Sequence, residues 1–244
     1  MRTSKYLKTL ALSAVLFTSF TAPAFAQDAG KAESAFSISG NAAITSDYRF
    51  RGVSFTNEDI AVQGGIDIGH SSGFYVGTWA SSLEDSAQFG HTELDLYAGW
   101  SGNIGTNTVL DVGVLAYIYP NGTNALASDY VEPYVSLTQT IGAVEAKVGA
   151  AYAPDQKGLA SDNIYIYGDL SGAIPKTPIS LTAHLGYTDG SLAVGTKGHY
   201  LDWSLGAEWA ITDKLSLGLA YVDTDAPNGP NVDGAAVVTL GVSF

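Results

Sequence analysis

Three charged residues, Asp47, Arg49 and Arg51, occupy alternate positions near the start of the chain. In an extended strand, alternate side chains point to one face about 6.6 Å apart, so these three would form one charged row. Such a row inside a pore can constrict it and set its ion preference. In the competing interpretation the arginines pair with neighbouring acids and only stiffen or plug the interior, because unpaired charge at a narrow site is costly. The sequence leaves both interpretations open.

Further charged residues alternate with apolar ones along later segments, and we assign them to the same interior face. With the first three, the candidate lumen-lining residues are Asp67, Glu93, Asp95, Asp111, Glu132 and Lys147, and the same pattern adds Glu145, Asp169, Asp202 and Glu208. Acids dominate this set, and an acidic interior would concentrate cations and repel anions. The alternative is a hydrated wall without useful selectivity.

Catalysis finds little support in the residue pattern. His70 and Ser72 are close in sequence, but they lie at a predicted turn, and a nucleophile needs a base and an orienting third group in one site. The other histidines, His91, His184 and His199, are isolated and lack metal-ligand spacing. We therefore expect no enzymatic activity, no cofactor and no metal site.

The elements that would position the charged residues are strands, because hydrophobicity has a period of two almost everywhere after residue 35. Residues 36–52 alternate without a break, and about eleven similar segments follow. Joins after even-numbered strands are short, and those after odd-numbered strands are longer except at Thr56–Asp59. Even strand number, short periplasmic turns and long outer loops are typical of bacterial outer-membrane barrels. The prediction is an all-β, closed, antiparallel, up-and-down transmembrane β-barrel of about 12 strands over residues 36–244.

Aromatic residues fall at the predicted strand ends, as in the two girdles of membrane barrels. The predicted periplasmic girdle contains Phe36, Phe74, Trp100, Trp209 and Phe244, and the outer girdle contains Tyr48, Phe50, Tyr152, Tyr187 and Tyr221. A soluble β-sandwich or lipocalin-like barrel would explain the alternation equally well. It would not explain the two girdles.

The first 26 residues have the features of a cleaved secretory signal. Arg2, Lys5 and Lys8 precede an uncharged apolar stretch, and the small-x-small sequence at residues 24–26 predicts cleavage before Gln27. The apolar stretch, about eleven residues long, is shorter than the roughly 20 that a spanning helix needs. Residues 27–35 are then a short periplasmic N-terminal segment.

Composition excludes several other classes of protein. The signal contains three of the eleven Lys and Arg residues and none of the 24 Asp and Glu residues, so the remainder has a net charge of −16. Nucleic-acid binding needs basic patches and is therefore not expected. The content of 46% hydrophobic and 14% charged residues argues against disorder. There is no cysteine, and a closed ring of backbone hydrogen bonds in lipid would supply the stability that disulfides give many small secreted domains.

Residues 39–54 read SGNAAITSDYRFRGVS. This segment closely resembles the opening motif of the TorF family of bacterial porins. Weaker matches follow at 63–67, 72–77, 93–99, 111–115, 200–203 and 217–225, so the resemblance covers most of residues 36–244. It implies an outer-membrane barrel with a pore and does not imply a defined substrate.

The resulting functional prediction is a narrow passive channel for small solutes or ions in the bacterial outer membrane. The runner-up is a pore-less structural or interaction barrel, and an outer-membrane enzyme comes third. The expected partners are outer-membrane lipid, small solutes or ions, and the barrel-assembly machinery, which would read the C-terminal strand ending in Phe244.

Overall fold

Twelve long strands form a closed barrel in the computed structural model, which describes residues 34–123, 128–227 and 231–244. The barrel strands are β1 (Phe36–Thr45), β4 (Ala61–His70), β5 (Phe74–Ser86), β6 (Gly90–Asn103), β7 (Thr108–Ile118), β8 (Tyr130–Ile141), β9 (Val144–Ala153), β10 (Asn163–Ala173), β11 (Ile179–Gly190), β12 (His199–Ala210), β13 (Leu215–Thr224) and β14 (Ala235–Ser243). Two short strands, β2 (Arg49–Phe50) and β3 (Val53–Ser54), form a separate hairpin. Within the described ranges no helix has the length and apolar character to cross a bilayer. The predicted signal, residues 1–26, and residues 27–33 of the predicted periplasmic segment lie outside the described residues.

Every barrel strand pairs antiparallel with its neighbours along the chain, and β1 closes the ring by pairing with both β4 and β14. At the closure, the Phe244 N–H donates to the Gly40 carbonyl at 3.0 Å, and the Gly40 N–H donates to the Phe244 carbonyl at 2.8 Å. Closure leaves no strand edge unpaired, as a lipid environment demands. The predicted twelve-stranded antiparallel barrel is confirmed.

The outer face of the barrel is apolar and the inner face is polar. Ile38, Val148 and Leu205 on the outer face are 74%, 60% and 66% exposed, whereas Glu93 on the inner face is fully buried. A soluble barrel would have the opposite arrangement. The ten residues of β1 span about 25 Å at a tilt near 40°, which matches the apolar band of an outer-membrane barrel. The soluble alternative is therefore wrong.

The two ends of the barrel differ in their connections. At the turn end, where β1 begins and β14 ends, the joins are residues 71–73, 104–107, 142–143, 174–178 and 211–214. At the opposite, loop end they are residues 46–60, 87–89, 119–129, 154–162, 191–198 and 225–234. The predicted long loop over Ser82–Gly90 is mostly strand, because β5 and β6 extend past their predicted ends through an irregular register. Conversely, the first join was predicted as short and is the longest at the loop end.

The predicted girdles are partly present. Phe36, Phe74, Trp209 and Phe244 expose half or more of their surface at the turn end, and Trp100 is half-buried there. Tyr152 and Tyr221 are exposed near the loop end, and Tyr187 is half-buried. The assignment of Tyr48 and Phe50 to the outer girdle is wrong, because both side chains are buried inside the barrel.

Inward glycines lie opposite inward tyrosines on neighbouring strands. The directly paired couples are Gly77 with Tyr97, Gly99 with Tyr75, Gly113 with Tyr134, and Gly149 with Tyr167. A Cβ atom at any of these glycines would collide with atoms of the facing phenol ring. The glycines therefore allow the rings to lie flat against the wall, and this explains why small residues alternate with charged ones on the inner face.

Candidate functional site

Residues 46–60, which we call the inward segment, leave β1 and fold into the barrel. The β2–β3 hairpin lies in this segment, and its turn places Arg51 and Gly52 in the left-handed region, with φ values of 48° and 83°. Gly52 is also tightly confined, since a Cβ there would lie 2.9 Å from the Asp202 Cβ. Because β1 ends at Thr45, the expectation that Asp47, Arg49 and Arg51 form one row on one strand is wrong. All three are nevertheless buried inside the barrel.

Asp47 organises the inward segment internally. Its carboxylate accepts hydrogen bonds from the Ser54 hydroxyl at 2.6 Å, the Thr56 hydroxyl at 3.0 Å and the Arg49 Nε at 2.6 Å. Arg49 in turn donates from Nη1 to the Asp233 carbonyl at 2.6 Å, which ties the segment to the loop between β13 and β14. The charge of Arg49 is therefore matched by a buried carboxylate within its own segment.

Arg51 fixes the tip of the inward segment to the barrel wall. Its Nη2 donates to both carboxylate oxygens of Glu132 on β8, each at 2.8 Å. Its guanidinium also lies 4.1 Å from the centre of the Tyr165 ring on β10, in a cation–π contact. Both charged side chains are buried, so removing either one would leave an uncompensated buried charge.

Aromatic residues of the inward segment pack against one side of the barrel. Tyr48, Phe50 and Phe55 contact rings from β5, β7 and the neighbouring loops, and this aromatic cluster includes Trp79, Phe89, Tyr117, Tyr119 and Tyr130. The Tyr48 hydroxyl donates to the Glu93 carboxylate at 2.7 Å. Burial, together with the nearby Glu93 charge, raises the pKa of the Tyr48 phenol, which keeps it a neutral donor. The aromatic cluster fills the β5–β8 side of the interior.

The other side of the inward segment faces a cavity of about 80 Å³. A cavity of this size holds a few water molecules. Its polar lining comes from the inward segment and from the wall between β7 and β12, and includes Arg49, Arg51, Asp111, Glu132, Tyr134, Ser136, Tyr165, Tyr167, His184, Asp202 and Ser204. The inward segment therefore has the packed aromatic cluster on one side and, on the other, free volume lined by both polar and aromatic side chains.

A hydrogen-bonded network covers the polar wall of this cavity. The two ring nitrogens of His184 lie 2.6 Å from the Asp169 carboxylate and 3.0 Å from the Asp202 carboxylate. The Tyr165 hydroxyl lies 2.8 Å from His184 Nε2 and 3.1 Å from Asp202. The prediction that His184 is an isolated side chain is wrong. Alternation does place these residues on the inner face, but only the pairing of β10, β11 and β12 brings them together.

The remaining predicted lumen residues also lie on the inner face. Of these, Asp111 lines the cavity, and the others lie outside it. Asp111 accepts a hydrogen bond from the Tyr75 hydroxyl at 2.6 Å, and Asp67 accepts one from Tyr97. Glu93 and Asp95 are 0% and 1% exposed. Neither Asp95 oxygen has a hydrogen-bond partner among the described residues. Lys147, which is half-buried, lies opposite Asp169 on the neighbouring strand. Glu208 is buried, and Glu145 is exposed near the turn end.

The other motif singled out in the sequence lies far from this site. His70 Nδ1 is 2.7 Å from the Ser72 hydroxyl in the exposed turn between β4 and β5. The His70 ring packs edge-on against Phe36, with centroids 4.8 Å apart. In the described part of the chain, no group of three or more His, Asp or Glu side chains is arranged to hold a metal ion.

A known family model matches most of the chain. Residues 29–242 match the model of a family described as "Bacterial protein of unknown function (Gcw_chp)". The chain belongs to the Gcw_chp family. Its membership of the TorF family stays a prediction. No curated protein matches the sequence.

Solved structures with a similar fold are porins and channels. The NanC porin has a TM-score of 0.58 at 13% identity, with 85% of this chain and 99% of that chain covered. The KdgM porin has a TM-score of 0.57 at 8% identity, with 84% and 98% covered. The COG4313 outer membrane channel from Pseudomonas putida F1 has a TM-score of 0.53 at 13% identity, with 90% and 100% covered. A bacterial chain that forms such a closed barrel with an apolar exterior lies in the outer membrane, as predicted.

Proposed function

We propose that this protein is a narrow outer-membrane channel that passes small cations and neutral solutes in preference to anions. The observation that carries the proposal is the free volume between the inward segment and the barrel wall, lined by charged, hydroxyl and aromatic groups, inside a barrel whose charged interior residues are mainly acidic. A barrel that served only as a scaffold would have no need of free volume lined by charged and hydroxyl groups.

The charges around the passage support a preference against anions. Arg49 and Arg51 are each paired with a buried carboxylate, Asp47 and Glu132, so their positive charge is locally compensated. Further inward acids, among them Asp169, Asp202 and Glu208, outnumber the inward bases His184 and Lys147. Because low-dielectric walls focus such a field, cations would accumulate in the passage and anions would be depleted.

This electrostatic pattern separates the proposed solutes from those of one structural neighbour. A KdgM porin has been solved in complex with disordered oligogalacturonate, which is a polyanion. A chain of carboxylates would be repelled by the acidic interior described above. We therefore propose that this channel does not share that class of solute.

A pore-less barrel is the second candidate function, and the aromatic cluster favours it. Tyr48 and Phe50 are buried against the wall, and the Phe55 carbonyl accepts a hydrogen bond from the Glu84 N–H at 2.9 Å. A segment held this firmly is a permanent part of the interior. In this alternative the polar cavity is an enclosed pocket that does not lead through the barrel.

Conductance of the refolded mature protein in a planar bilayer tests the proposal. We expect small, steady currents with cation-favouring reversal potentials, and larger currents when residues 47–59 are replaced by a short Gly-Ser linker. Replacement of the exposed turn-end residues 174–178 with a Gly-Ser linker of the same length is the control and should leave the current unchanged. A silent wild type with a conducting linker variant would establish the pore-less barrel as the resting state. Anion-favouring currents would refute the proposed selectivity.

We also propose that the chain has no catalytic role and that its biogenesis depends on its last strand. His70 and Ser72 hydrogen-bond each other in an exposed turn, away from the cavity. Phe244 is 67% exposed, and its ring packs on Gly40, where a Cβ would lie 2.6 Å from it. An exposed C-terminal aromatic at the strand that closes the barrel is a suitable recognition element for the barrel-assembly machinery.

A further inference from the structure

The tyrosine wall of the cavity already holds one organic cation, which belongs to the chain itself. The Arg51 guanidinium lies 4.1 Å from the centre of the Tyr165 ring, and both oxygens of Glu132 accept hydrogen bonds from it. A planar guanidinium is attracted to the negative face of an aromatic ring and stacks on it. This contact shows that the inner wall at β10 accepts a planar cation.

The neighbouring ring, Tyr167, has the same chemistry and a surface that solvent reaches. The Tyr165 and Tyr167 rings are nearly parallel, at 22°, and their centroids are 5.5 Å apart. Tyr165 is buried, whereas Tyr167 is half-buried. Tyr167 points inward, because its ring lies over the inner-face position of Gly149 on β9. The exposed surface of Tyr167 therefore faces the interior of the barrel, where a solute can contact it.

A second half-buried ring, Tyr134, belongs to the same free volume. Ala151 on β9 lies opposite Tyr134 on β8 and opposite Tyr165 on β10. The inward residues of β9 at this level are Gly149 and Ala151, so β9 places no large side chain between the tyrosines of its two neighbours. Tyr134 and Tyr167 both line the cavity. The cavity therefore has two partly exposed phenol rings beside Arg51.

The charges around these rings favour a cation over an anion. Five carboxylates line the cavity or pair with its bases, against four bases, so acids are in excess by one even when His184 is protonated. The acids are Asp47, Asp111, Glu132, Asp169 and Asp202, and the bases are Arg49, Arg51, Lys147 and His184. The faces of the phenol rings add further negative potential.

We propose that the cavity is a binding site for small planar organic cations of the guanidinium class, which stack on Tyr167 and Tyr134 beside Arg51. This inference rests on the proposed channel function and names the class of cation that the passage would recognise. The size of the cavity agrees with a small ion. Its volume is about 80 Å³, whereas a cavity of about 150 Å³ binds benzene, so an ion of about five non-hydrogen atoms is suitable.

Saturation-transfer NMR on the mature protein in micelles of an uncharged detergent detects weak binding without requiring conductance. Methylguanidinium is the probe. Methylurea has nearly the same planar shape without the charge, tetramethylammonium has the charge without the planar shape, and acetate is a small anion. We expect methylguanidinium to bind best and acetate to bind least. Methylguanidinium should also reduce the potassium current in a planar bilayer.

Substitutions of single tyrosines locate the site. Tyr167→Leu removes the ring and should weaken methylguanidinium binding about threefold to thirtyfold, as for the loss of one cation–π contact. Tyr167→Phe keeps the ring and should retain most of the binding. Tyr97→Leu is the matched control, because the Tyr97 ring also lies over an inward glycine, Gly77, but does not line the cavity. It should bind methylguanidinium like the wild type.

Three results with these variants would contradict the proposal. Unchanged binding by Tyr167→Leu would refute the role of the ring. Equal losses in Tyr167→Phe and Tyr167→Leu would assign the interaction to the hydroxyl and refute stacking. Equal losses in Tyr97→Leu and Tyr167→Leu would refute the location of the site. If Tyr167→Leu does not fold, Tyr134→Leu and Tyr134→Phe form a second pair with the same expectations.

The remaining outcomes separate the site from the channel. Methylguanidinium binding by a protein that carries no current would refute the channel and support the site. A conducting protein that binds no methylguanidinium would refute the site and leave the channel standing. Binding of methylurea or tetramethylammonium as tight as that of methylguanidinium would overturn the assignment to planar cations.

Discussion

The ion pair between Arg51 and Glu132 couples the inward segment to the barrel wall, and a double-mutant cycle measures that coupling. Arg51→Met removes the charge but keeps much of the length of the side chain, and Glu132→Gln removes the opposite charge. We expect both single variants to be destabilised and the double variant to regain most of the loss. The reason is that each single variant leaves the other charge buried at 2–7% exposure.

The expected size of each change comes from the contacts of Arg51. Leaving Glu132 unpaired costs about 3–5 kcal/mol in the free energy of unfolding. Loss of the contact with the Tyr165 ring, 4.1 Å away, adds about 1–2 kcal/mol. The double variant loses only the contact with the Tyr165 ring, so its free energy of unfolding should be about 1–2 kcal/mol lower than that of the wild type. Each single variant leaves one buried charge unpaired at about 3–5 kcal/mol, and the double variant leaves none, so the coupling energy should be about 6–10 kcal/mol. This is larger than the roughly 0.5–3 kcal/mol that is usual for contacting residues.

Urea unfolding of the refolded protein in lipid vesicles gives the stability of all four proteins. Reversal potentials measured at low salt on the same proteins give a second readout. Arg51→Met exposes the charge of Glu132 at the constriction, so cation preference should rise, most clearly at 0.01 M salt, where the screening length is about 30 Å. The reversal potential of the double variant should return towards that of the wild type.

Additive effects of the two substitutions would refute this reasoning, since they would mean that the two side chains do not stabilise each other. A reversal potential that is unchanged in Arg51→Met despite a clear loss of stability would show that the pair lies outside the path of the ions. That result would favour the pore-less barrel.

Three other predictions test the interior wall and the closure of the barrel. Asp95→Asn should stabilise the protein by about 1–2 kcal/mol in urea unfolding, because neither Asp95 carboxylate oxygen has a partner among the described residues. Asp111→Asn should destabilise it by a similar amount, because it weakens the hydrogen bond that the Tyr75 hydroxyl donates to Asp111. Gly77→Ala should lower the free energy of unfolding by about 1–3 kcal/mol, because the new Cβ displaces the Tyr97 ring. Gly168→Ala is the control and should be close to neutral, because a Cβ there has only one ordinary contact. Equal effects of the two substitutions would contradict the packing argument. Deletion of Phe244 should reduce the heat-resistant folded form seen on unheated gels of outer-membrane fractions, with Ser243→Ala as the control; an unchanged folded yield would rule out a role in assembly.

Most of the barrel could be predicted from the sequence because lipid imposes the same requirement on every strand. Ile66 and Ile68 are exposed while Asp67 between them faces inward, and this two-residue period needs no knowledge of neighbouring strands. Twelve strands and the polar interior follow from this pattern alone.

The inward segment could not be predicted because its alternation looks like more strand. Tyr48 and Phe50 alternate with Asp47, Arg49 and Arg51, so the pattern of β1 continues past the point where the strand ends. The departure is marked by backbone geometry, namely the positive φ values at Arg51, Gly52, Asn57 and Glu58. Only Gly52 among these is a glycine, and a lone glycine inside a strand pattern gives only a weak signal of a turn.

The network around His184 depends on register between strands. Asp169 lies directly opposite His184, and Ser204 lies opposite His184 on the other side. The stagger of strands in a closed barrel is a property of the whole ring, and the pattern of one strand does not contain it. The alternation therefore predicts the correct face for Asp169 and Asp202 and does not predict that either carboxylate contacts His184.

The alternation of aromatic and charged residues in the inward segment has one effect inside the barrel and would have another in a wall strand. In a strand it would present Tyr48 and Phe50 to lipid and the charged residues to water. In the interior Tyr48 and Phe50 meet the aromatic cluster, and Arg49 and Arg51 line the cavity together with Phe50. One short amphipathic segment therefore fills part of the interior by aromatic packing and places polar groups beside the remaining free volume. A solute that crossed beside this free volume would pass Arg51, whose charge is compensated by Glu132, so the excess of acids along the wall would determine the selectivity.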